Sequence, residues 1–363
     1  MTHAIIIAEA GVNHNGVEAL AFQLIDQAIE AGVDIVKFQT FKAENLVTKS
    51  APLADYQQQN GVKANAQFNM LKALELSSDC FIRLKEYCEQ HGITFLTTAF
   101  DFDSLDFLIN TLNLDTLKIP SGEITNAPFV LAHARSGCQL IVSTGMCDLA
   151  EIEQALGVIA FGLLNIEGEW LTSQPCDELF AKAYQSKQGQ ALLQKKVTLL
   201  HCTTDYPAPI DDINLNAMSV MQNAFQLPVG YSDHSKGIIV PVAAVAMGAV
   251  LIEKHFTLDK SLEGPDHKAS LNPVELTEMV NAIRLTEKAQ GRAIKQASVA
   301  EQANKNVARK SLVANSNIKK GALFTDSNLV IKRPGSGMSP YQYWSMLNRP
   351  AQRNYQEGEL INE

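Results

Sequence analysis

Short apolar runs alternate with amphipathic helical segments along most of the chain. The first run, "AIIIAE" (4–9), precedes a segment whose apolar positions Leu20, Leu24 and Ala28 share one face and which ends at Gly32. Seven further runs follow at 34–40, 93–98, 115–120, 139–144, 196–202, 227–232 and 249–256. Because these runs are continuously apolar, they are typical of parallel strands that are covered on both faces.

Eight such strands separated by helices predict an α/β fold, a (β/α)8 TIM barrel. A doubly wound open sheet is the competing arrangement, but no G-x-G-x-x-G follows the first strand. The stretch 272–291 predicts the last barrel helix, with Asn272 as N-cap, Pro273 in the first turn and Gly291 at the end. We therefore expect the barrel domain to span residues 1–291.

The pattern changes after this helix. Residues 292–308 are polar and indicate a linker, and residues 309–363 combine short strands with a Gly/Pro/Ser loop, which predicts a small β-rich domain. So small a domain is marginal alone, and we expect it to pack on another surface. Within the barrel, the long connection 161–196 predicts a loop and one additional helix, typical of a lid or an appendage.

Composition narrows the functional class. The net charge of -9 and the pI near 5.4 argue against binding of nucleic acid or an anionic membrane surface. Six scattered cysteines without a C-x-x-C pair indicate reduced thiols. The N-terminal apolar stretch is too short for a signal peptide or a membrane span. We expect a cytoplasmic protein whose partners are small molecules.

Polar or reactive side chains follow every predicted strand, where the active site of a barrel enzyme is built. In chain order they are Glu9; Lys37 and Gln39; Thr97 and Thr98; Lys118 and "PSGE" (120–123); "STGM" (143–146); "HCTTDYPAP" (201–209); "GYSDHS" (230–235); and Glu253, Lys254 and His255. Folding alone does not explain eight such strand ends together.

Two histidines form the candidate metal site. His234 and His255 end neighbouring strands, so both imidazoles can reach one divalent ion and leave positions open for a substrate oxygen. The alternative is a pair of hydrogen-bonded core histidines. Of the others, His201 is interpreted as packing, His14 as either a ligand contact or a loop-fixing residue, and His267 as solvent-facing.

Two lysines form the candidate anion site. Lys37 and Lys118 end strands that are otherwise apolar, and a buried lysine is costly unless it is paired. They suit a phosphate or carboxylate at the barrel mouth; the alternative is a structural pair with Glu9 or Glu123. Hydroxyl and backbone donors follow the same region at Ser121, Gly122, Ser143, Thr144 and Gly145.

Three carboxylates are candidate proton carriers or binders of sugar-like hydroxyls: Glu9, Glu123 and Asp266. The rigid Gly264-Pro265 turn predicts that Asp266 projects into the site. The alternative is an exposed aspartate in a surface turn. Taken together, these groups indicate a small phosphorylated or carboxylated substrate and an electrophilic carbonyl.

These residues lie in motifs that resemble those of the sialic acid synthase family, in the same order and over nearly the whole chain. The motifs are "AEAGVNHNG" (8–16), "VKFQTF" (36–41), "KIPSGE" (118–123), "STGM" (143–146), "HCTTDYPAP" (201–209), "GYSDHS" (230–235), "IEKHFTLDKSLEGPDHKAS" (252–270) and "IKRPGSGMSP" (331–340). The tail is similar to the antifreeze-like (SAF) domain of these synthases.

The resemblance implies a barrel that condenses phosphoenolpyruvate with an N-acetylmannosamine-type aldehyde and releases phosphate. The product would be a nonulosonic acid, N-acetylneuraminate or N,N'-diacetyllegionaminate, since both groups of enzymes share these motifs. It also implies Mn²⁺ or Mg²⁺ on His234 and His255. Matched substrate-binding positions are Lys37, Gln39, Thr98, Phe100, Lys118, Ser121, Ser143, Tyr206 and Ser232.

By the same resemblance Glu9, Glu123 and Asp266 surround the sugar and the attacking water, and we assign the water proton to Glu123, with the other two as rivals. The family acts as a domain-swapped homodimer in which Arg333 of one chain contacts the N-acetyl group in its partner's site. A metal-dependent pyruvate aldolase and a non-catalytic carbohydrate-binding barrel are the alternative functions.

Overall fold

The computed structural model describes residues 3–53, 66–166, 168 and 174–362. Its main sheet contains eight parallel strands. They are β1 Ile5–Gly11, β2 Ile35–Thr40, β3 Thr94–Ala99, β4 Thr116–Ile119, β5 Gln139–Ser143, β6 Val197–Cys202, β7 Val229–Asp233 and β8 Leu251–His255. The hydrogen-bonded order is β3-β2-β1-β8-β7-β6-β5-β4, and β3 also contacts β4, so the barrel is nearly closed. The predicted (β/α)8 barrel is confirmed.

Helices follow the strands and cover the outside of the barrel. They are α1 Glu18–Ala31, α2 Ala43–Leu46, α3 Gln67–Leu74, α4 Ser78–His91, α5 Phe102–Asp106 with a π-helical turn Phe107–Thr111, α6 Ala127–Arg135, α7 Leu149–Ile166, α8 Asp177–Gln185, α9 Lys187–Lys196, α10 Asn216–Phe225, α11 Ile239–Ala246 and α12 Pro273–Gln290. Short 3-10 turns lie at Ser121–Glu123, Ile210–Asp212 and Pro340–Gln342.

The predicted start of α12 is correct in detail. The Asn272 side chain accepts from the backbone N–H of Glu275, and the Glu275 carboxylate accepts from the backbone N–H of Asn272. This reciprocal capping box satisfies two N–H groups that have no partner within the helix.

The connection 161–196 differs from its prediction. It contains the end of α7 and two helices, α8 and α9, where one additional helix was expected. The two helices are separate because Ser186 is extended, with φ -73 and ψ 143, and its hydroxyl caps α9 by accepting from Gly189 N. Residues 167 and 169–173 of this connection lie outside the described residues.

Helix α7 is long and apolar. Among the described residues it alone could cross a membrane by length and composition, and 67% of it is buried inside the fold. It packs against α6, α8 and α9. Such burial is what the core helix of a globular domain shows.

Alternation along the strands explains how the barrel interior becomes polar at its mouth. An apolar interior layer is formed by Ile7, Leu96, Ile141, Leu200 and Leu251. Successive strand residues point to opposite faces, so the residue two positions after each of these also points inward. Those residues are Glu9, Thr98, Ser143, Cys202 and Glu253, and all of them line the mouth.

The chain divides into two compact units, Met1–Gly291 and Arg292–Glu363. The second contains α13 Val299–Ala308, an antiparallel pair of strands, β9 Ser311–Ala314 and β10 Leu329–Lys332, and a short α14 Tyr343–Met346. Its apolar core includes Leu312, Phe324, Leu329, Met346 and Tyr355. Much of the segment interpreted as a linker, 292–308, is therefore helical. The antifreeze-like assignment stays a prediction.

Candidate active site

A cavity of about 380 Å³ opens at the carboxyl ends of the barrel strands. Its lining includes thirteen of the predicted site residues, contributed by every strand end: Glu9, Lys37, Gln39, Thr98, Phe100, Lys118, Ser121, Ser143, Tyr206, Ser232, His234, His255 and Asp266. The structure thus brings the candidate anion site, metal site and two of the three carboxylates together.

Lys37 is buried within a group of acceptors. Its Nζ lies 2.7 Å from Glu9 Oε2 and 3.6 Å from Glu253 Oε2, and it donates to Thr98 Oγ1 at 3.1 Å. Burial lowers the pKa of Lys37, but Glu253 and Glu9 outweigh burial and raise it above its ordinary value. Lys37 is therefore a permanent cation at neutral pH.

Lys118 is the second buried cation. Its Nζ donates to Ser143 Oγ at 2.7 Å and lies 3.7 Å from Glu253 Oε1. Burial lowers the pKa of Lys118, and Glu253 opposes that effect. Glu253 is shared between the two lysines, and burial raises the pKa of Glu9, the other carboxylate beside Lys37, so the floor of the cavity can accept a further anion.

Glu253 is the site residue that the sequence interpretation missed. In the sequence, Glu253 and Lys254 were listed with His255 as polar strand-end residues, and neither was assigned to the site. Instead Glu253 faces the cavity and accepts from Ser232 Oγ at 2.9 Å, whereas Lys254 points outward and contacts Asp233 Oδ2 at 2.5 Å. The alternation of side chains along a strand could have identified Glu253, because it lies two positions before His255 and therefore points to the same face of β8.

The two acidic groups beside Lys37 titrate at opposite extremes. Burial raises the pKa of Glu9 to about 7, although Lys37 lowers it. Burial also acts to raise the pKa of Glu253, but Lys118 and Lys37 outweigh it and bring that pKa to about 2. Because their pKa values differ so widely, Glu253 stays an anion, whereas Glu9 can gain and lose a proton near neutral pH.

The predicted metal ligands lie side by side, with the ring centroids of His234 and His255 5.5 Å apart. The Tyr206 ring packs 4.1 Å from the His234 ring, centroid to centroid. His234 Nδ1 donates to the carbonyl of Thr203 at 2.6 Å, which leaves the lone pair on Nε2. Burial lowers the pKa of both imidazoles, so both are in the neutral form that binds metals.

The donor set fits a divalent ion that keeps open positions. Within the described part of the chain, His255 Nδ1 is buried without a hydrogen bond, and Asp266 Oδ2 lies 3.9 Å from it. No group of three His, Cys, Asp or Glu side chains among the described residues is arranged to hold an ion. Two imidazoles would therefore be the chain's share, and the remaining positions are open to substrate and water.

Asp266 reaches the cavity as predicted. Its side chain is buried, and burial raises the pKa of Asp266 to about 6. The alternative of an exposed turn residue is wrong. Its neighbour His267 was expected to face solvent, and this is also wrong. His267 is fully buried because its ring bonds to Thr257 and Asn15.

Two predicted site residues lie elsewhere. Glu123, the first choice for the water proton, does not line the cavity; it ends the turn Ser121–Glu123 and accepts from Asn126 Nδ2 at 2.8 Å. Arg333 belongs to the second unit, where its Nε donates to the carbonyl of Ala308 at 3.0 Å.

In a comparison of the sequence with models of protein families, the model of the NeuB family matches residues 24–295 of this chain. The chain belongs to the NeuB family. It is 46% identical to the N,N'-diacetyllegionaminic acid synthase of Campylobacter jejuni over 363 residues, which cover 100% of both chains. It is 43% identical to the synthase of the same name from Legionella pneumophila, over 98% of this chain and 92% of that one.

A solved NeuB relative shows the same architecture. The N-acetylneuraminic acid (sialic acid) synthetase of Leptospira borgpetersenii, crystallised with citrate, is 32% identical, with a TM-score of 0.65 over 83% of this chain and 90% of that one. The expected family and its barrel are therefore confirmed.

One wall of the NeuB barrel cavity was predicted only at Phe100. It is apolar and is formed by Val12, Met70, Leu71, Leu74 and Phe100. Three of these belong to α3, whose end packs against Gly16: a Cβ on that glycine would lie 2.3 Å from the carbonyl oxygen of Ala73. Gly16 also has φ +72, so both the close approach of Ala73 and the left-handed backbone conformation require glycine at this position. Site residues were predicted from the ends of strands, and α3 lies within the long connection between β2 and β3, so its residues were missed.

The buried histidines of the NeuB barrel should make it sensitive to acid. Burial lowers the pKa of His14 and of His267 to about 4. The unfolded chain, with histidine pKa values near 6.5, binds more protons between those values. The free energy of unfolding should therefore fall as pH drops from about 6.5 to 4, on the order of 2 kcal/mol per residue.

Urea unfolding at a series of pH values measures this loss. A His267→Gln variant should show a flatter pH dependence than the wild type over the same window. A variant curve parallel to the wild-type curve would contradict the assignment to His267.

Proposed function

We propose that this NeuB-family enzyme condenses phosphoenolpyruvate with a diacetamido-trideoxy analogue of N-acetylmannosamine and forms N,N'-diacetyllegionaminate and phosphate. The observation that carries the proposal is the meeting of two buried lysines, Lys37 and Lys118, with two neutral imidazoles, His234 and His255, in one cavity. The first pair suits an anionic substrate, and the second suits a carbonyl.

The lysines and nearby hydroxyls bind phosphoenolpyruvate. Lys118 and Ser143 already share a hydrogen bond, and Ser121 Oγ accepts from the backbone N–H of Gly145 at 3.0 Å. Phosphate and carboxylate oxygens can replace these internal partners with charge-assisted hydrogen bonds. Glu253 stays ionised between the lysines and keeps them charged until the substrate arrives.

A divalent ion, Mn²⁺ or Mg²⁺, is held by His234 and His255 in this proposal. When bound, such an ion supplies Lewis-acid polarisation of a carbonyl oxygen. Tyr206 packs against both rings and fixes their orientation.

The methylene carbon of phosphoenolpyruvate then forms the new bond to the aldehyde carbon of the sugar. As this bond forms, the π bond of the aldehyde carbonyl breaks and its oxygen takes up a proton. Water adds to C2 and the C2–O bond to phosphate breaks; the two water protons pass to the former aldehyde oxygen and to the phosphate, and C2 becomes the keto carbon of the product. The water proton needs an acceptor, and Glu9 is the carboxylate we assign to it. Its pKa of about 7 allows it to take and release a proton near neutral pH, and Gln39 Nε2 donates to its other oxygen at 3.2 Å.

The choice of the diacetamido sugar rests on two observations. Both of the curated relatives described above carry the name N,N'-diacetyllegionaminic acid synthase. The wall formed by Val12, Met70, Leu71, Leu74 and Phe100 offers an apolar surface to a methyl group where N-acetylmannosamine has a hydroxyl. Release of phosphate, with the two sugars compared side by side, tests the proposal.

The enzyme acts as a domain-swapped homodimer in this proposal, in the cytoplasm, where its cysteines stay reduced; those of the described chain form no disulfide. Arg333→Ala should then raise KM for the sugar at least about tenfold and leave KM for phosphoenolpyruvate nearly unchanged. Steady-state kinetics with each substrate varied measures both values. Arg349→Ala, an exposed arginine of the same unit, is the matched control.

An equal rise of both KM values would contradict the role of Arg333. A mixing experiment separates swapping from a contact within one chain. At sugar concentrations well below the wild-type KM, Arg333→Ala and Lys118→Met chains that are combined and allowed to exchange should recover about a quarter of wild-type activity, because half the dimers carry one complete site. No recovery despite exchange would contradict the swapped dimer.

A further inference from the structure

His267 is a buried histidine that the proposed reaction does not use. Its Nδ1 lies 2.7 Å from Thr257 Oγ1 and its Nε2 lies 3.1 Å from Asn15 Oδ1. Asn15 Nδ2 donates to the carbonyl of Glu263 at 3.0 Å, so Oδ1 is the acceptor. His267 Nε2 therefore carries the hydrogen, and Nδ1 accepts from the Thr257 hydroxyl, which lies closer to it than to its other acceptor, the carbonyl of Asp259 at 3.2 Å. One neutral tautomer satisfies both bonds.

A second set of bonds joins the same two loops. Asn13 Nδ2 donates to the carbonyl of Phe256 at 2.8 Å and to Ser270 Oγ at 3.0 Å. The Ser270 hydroxyl in turn donates to the carbonyl of Asp266 at 2.7 Å. The loop after β1 is thus tied to the loop after β8 at several points. We call this set the loop clasp, formed by Asn13, Asn15, Thr257, His267 and Ser270.

Gly264 makes room for the loop clasp. A Cβ at this position would lie 2.6 Å from His267 Cδ2 and 2.9 Å from Asn15 Oδ1. Any larger residue would therefore separate the two groups or move the turn. The Gly264-Pro265 turn places the two residues that follow it: the Asp266 side chain lines the cavity, and the His267 ring is part of the loop clasp.

We propose that His267 is a positioning residue that, through Asn15, holds the turn carrying Asp266 against the loop after β1 and so fixes the Asp266 carboxylate in the cavity. The consequence for catalysis rests on the proposed function, since it assumes that Asp266 contacts the sugar. The consequence for the loop does not.

The kinetic test uses His267→Leu, which removes both hydrogen bonds at similar volume, and His267→Gln, whose amide can still donate to Asn15. His267→Leu should raise KM for the sugar at least about tenfold, with KM for phosphoenolpyruvate within about twofold of wild type. His267→Gln should recover most of the loss. His133→Leu is the matched control, because His133 is equally buried but bonds to Phe129 within α6; it should change neither KM.

Hydrogen exchange tests the loop without substrates. Amides of residues 258–268 should exchange faster in His267→Leu and in Asn15→Gly, and the double variant should show less than the sum of the two effects because the His267–Asn15 bond is lost in both. Glycine suits position 15, where φ is 51. Unchanged exchange, or a parallel rise of both KM values in His267→Leu, would overturn the proposal. If the wild type releases no phosphate, the proposed function fails, while the exchange result still decides the loop clasp.

Discussion

His255→Ala should lower turnover by at least about a thousandfold, the largest loss expected from a single substitution in this enzyme. His255 supplies one of two imidazoles, and within the described part of the chain no third His, Cys, Asp or Glu completes the set. Loss of one of two protein ligands should remove most of the affinity for the ion. Phosphate release and the metal content of the dialysed protein measure the two effects separately.

The control for this variant is His133→Ala, which also removes a buried imidazole but lies in α6. Circular dichroism should show both variants folded, and His255→Gln provides a second version if alanine destabilises the barrel. Retained metal-dependent activity in folded His255→Ala would remove His255 from the metal site.

Lys118→Met should lower kcat/KM for phosphoenolpyruvate by about a hundredfold to a thousandfold. Methionine keeps most of the length of the side chain but removes the charge that bonds to the substrate anion, and a charge-assisted hydrogen bond contributes about 1.5–3 kcal/mol before longer-range attraction is added. The same change leaves Glu253 with one cation in place of two. Initial rates with phosphoenolpyruvate varied at saturating sugar measure the effect.

The double variant Lys118→Met/Glu253→Gln separates binding from stability. Neutralising Glu253 should restore part of the stability lost in Lys118→Met, since a buried carboxylate that has lost one of its two cations is costly. It should not restore the affinity for phosphoenolpyruvate. Recovery of kcat/KM in the double variant would show that Lys118 acts only as a structural partner of Glu253.

The barrel could be predicted because its strands are apolar runs of regular spacing, each ending in a polar group. The position of most site residues followed from the same rule, since parallel strands in a barrel end on one face. Glu253 was missed because the direction of each side chain along β8 was not considered. It was grouped with Lys254 by sequence proximity, although alternation places them on opposite faces of β8.

Residues in turns were harder to place, because the side-chain directions of a turn have no period. Glu123 was assigned to the site from its place in the "KIPSGE" motif (118–123); in the structure the 3-10 turn Ser121–Glu123 places its carboxylate on Asn126, outside the cavity lining. His267 was interpreted as facing solvent. Its burial depends on Asn15, which is 252 residues away in the chain. Contacts of this kind require the closed barrel.

The central claim is that the strand ends form a synthase that joins phosphoenolpyruvate to an amino sugar. The direct measurement incubates the purified protein with Mn²⁺, phosphoenolpyruvate and either N-acetylmannosamine or its diacetamido-trideoxy analogue, and follows phosphate, pyruvate and sugar together. We predict one phosphate released per sugar consumed, faster with the diacetamido sugar, and no use of free pyruvate. Consumption of pyruvate without phosphate release would identify an aldolase, and no phosphate release with either sugar would contradict the claim.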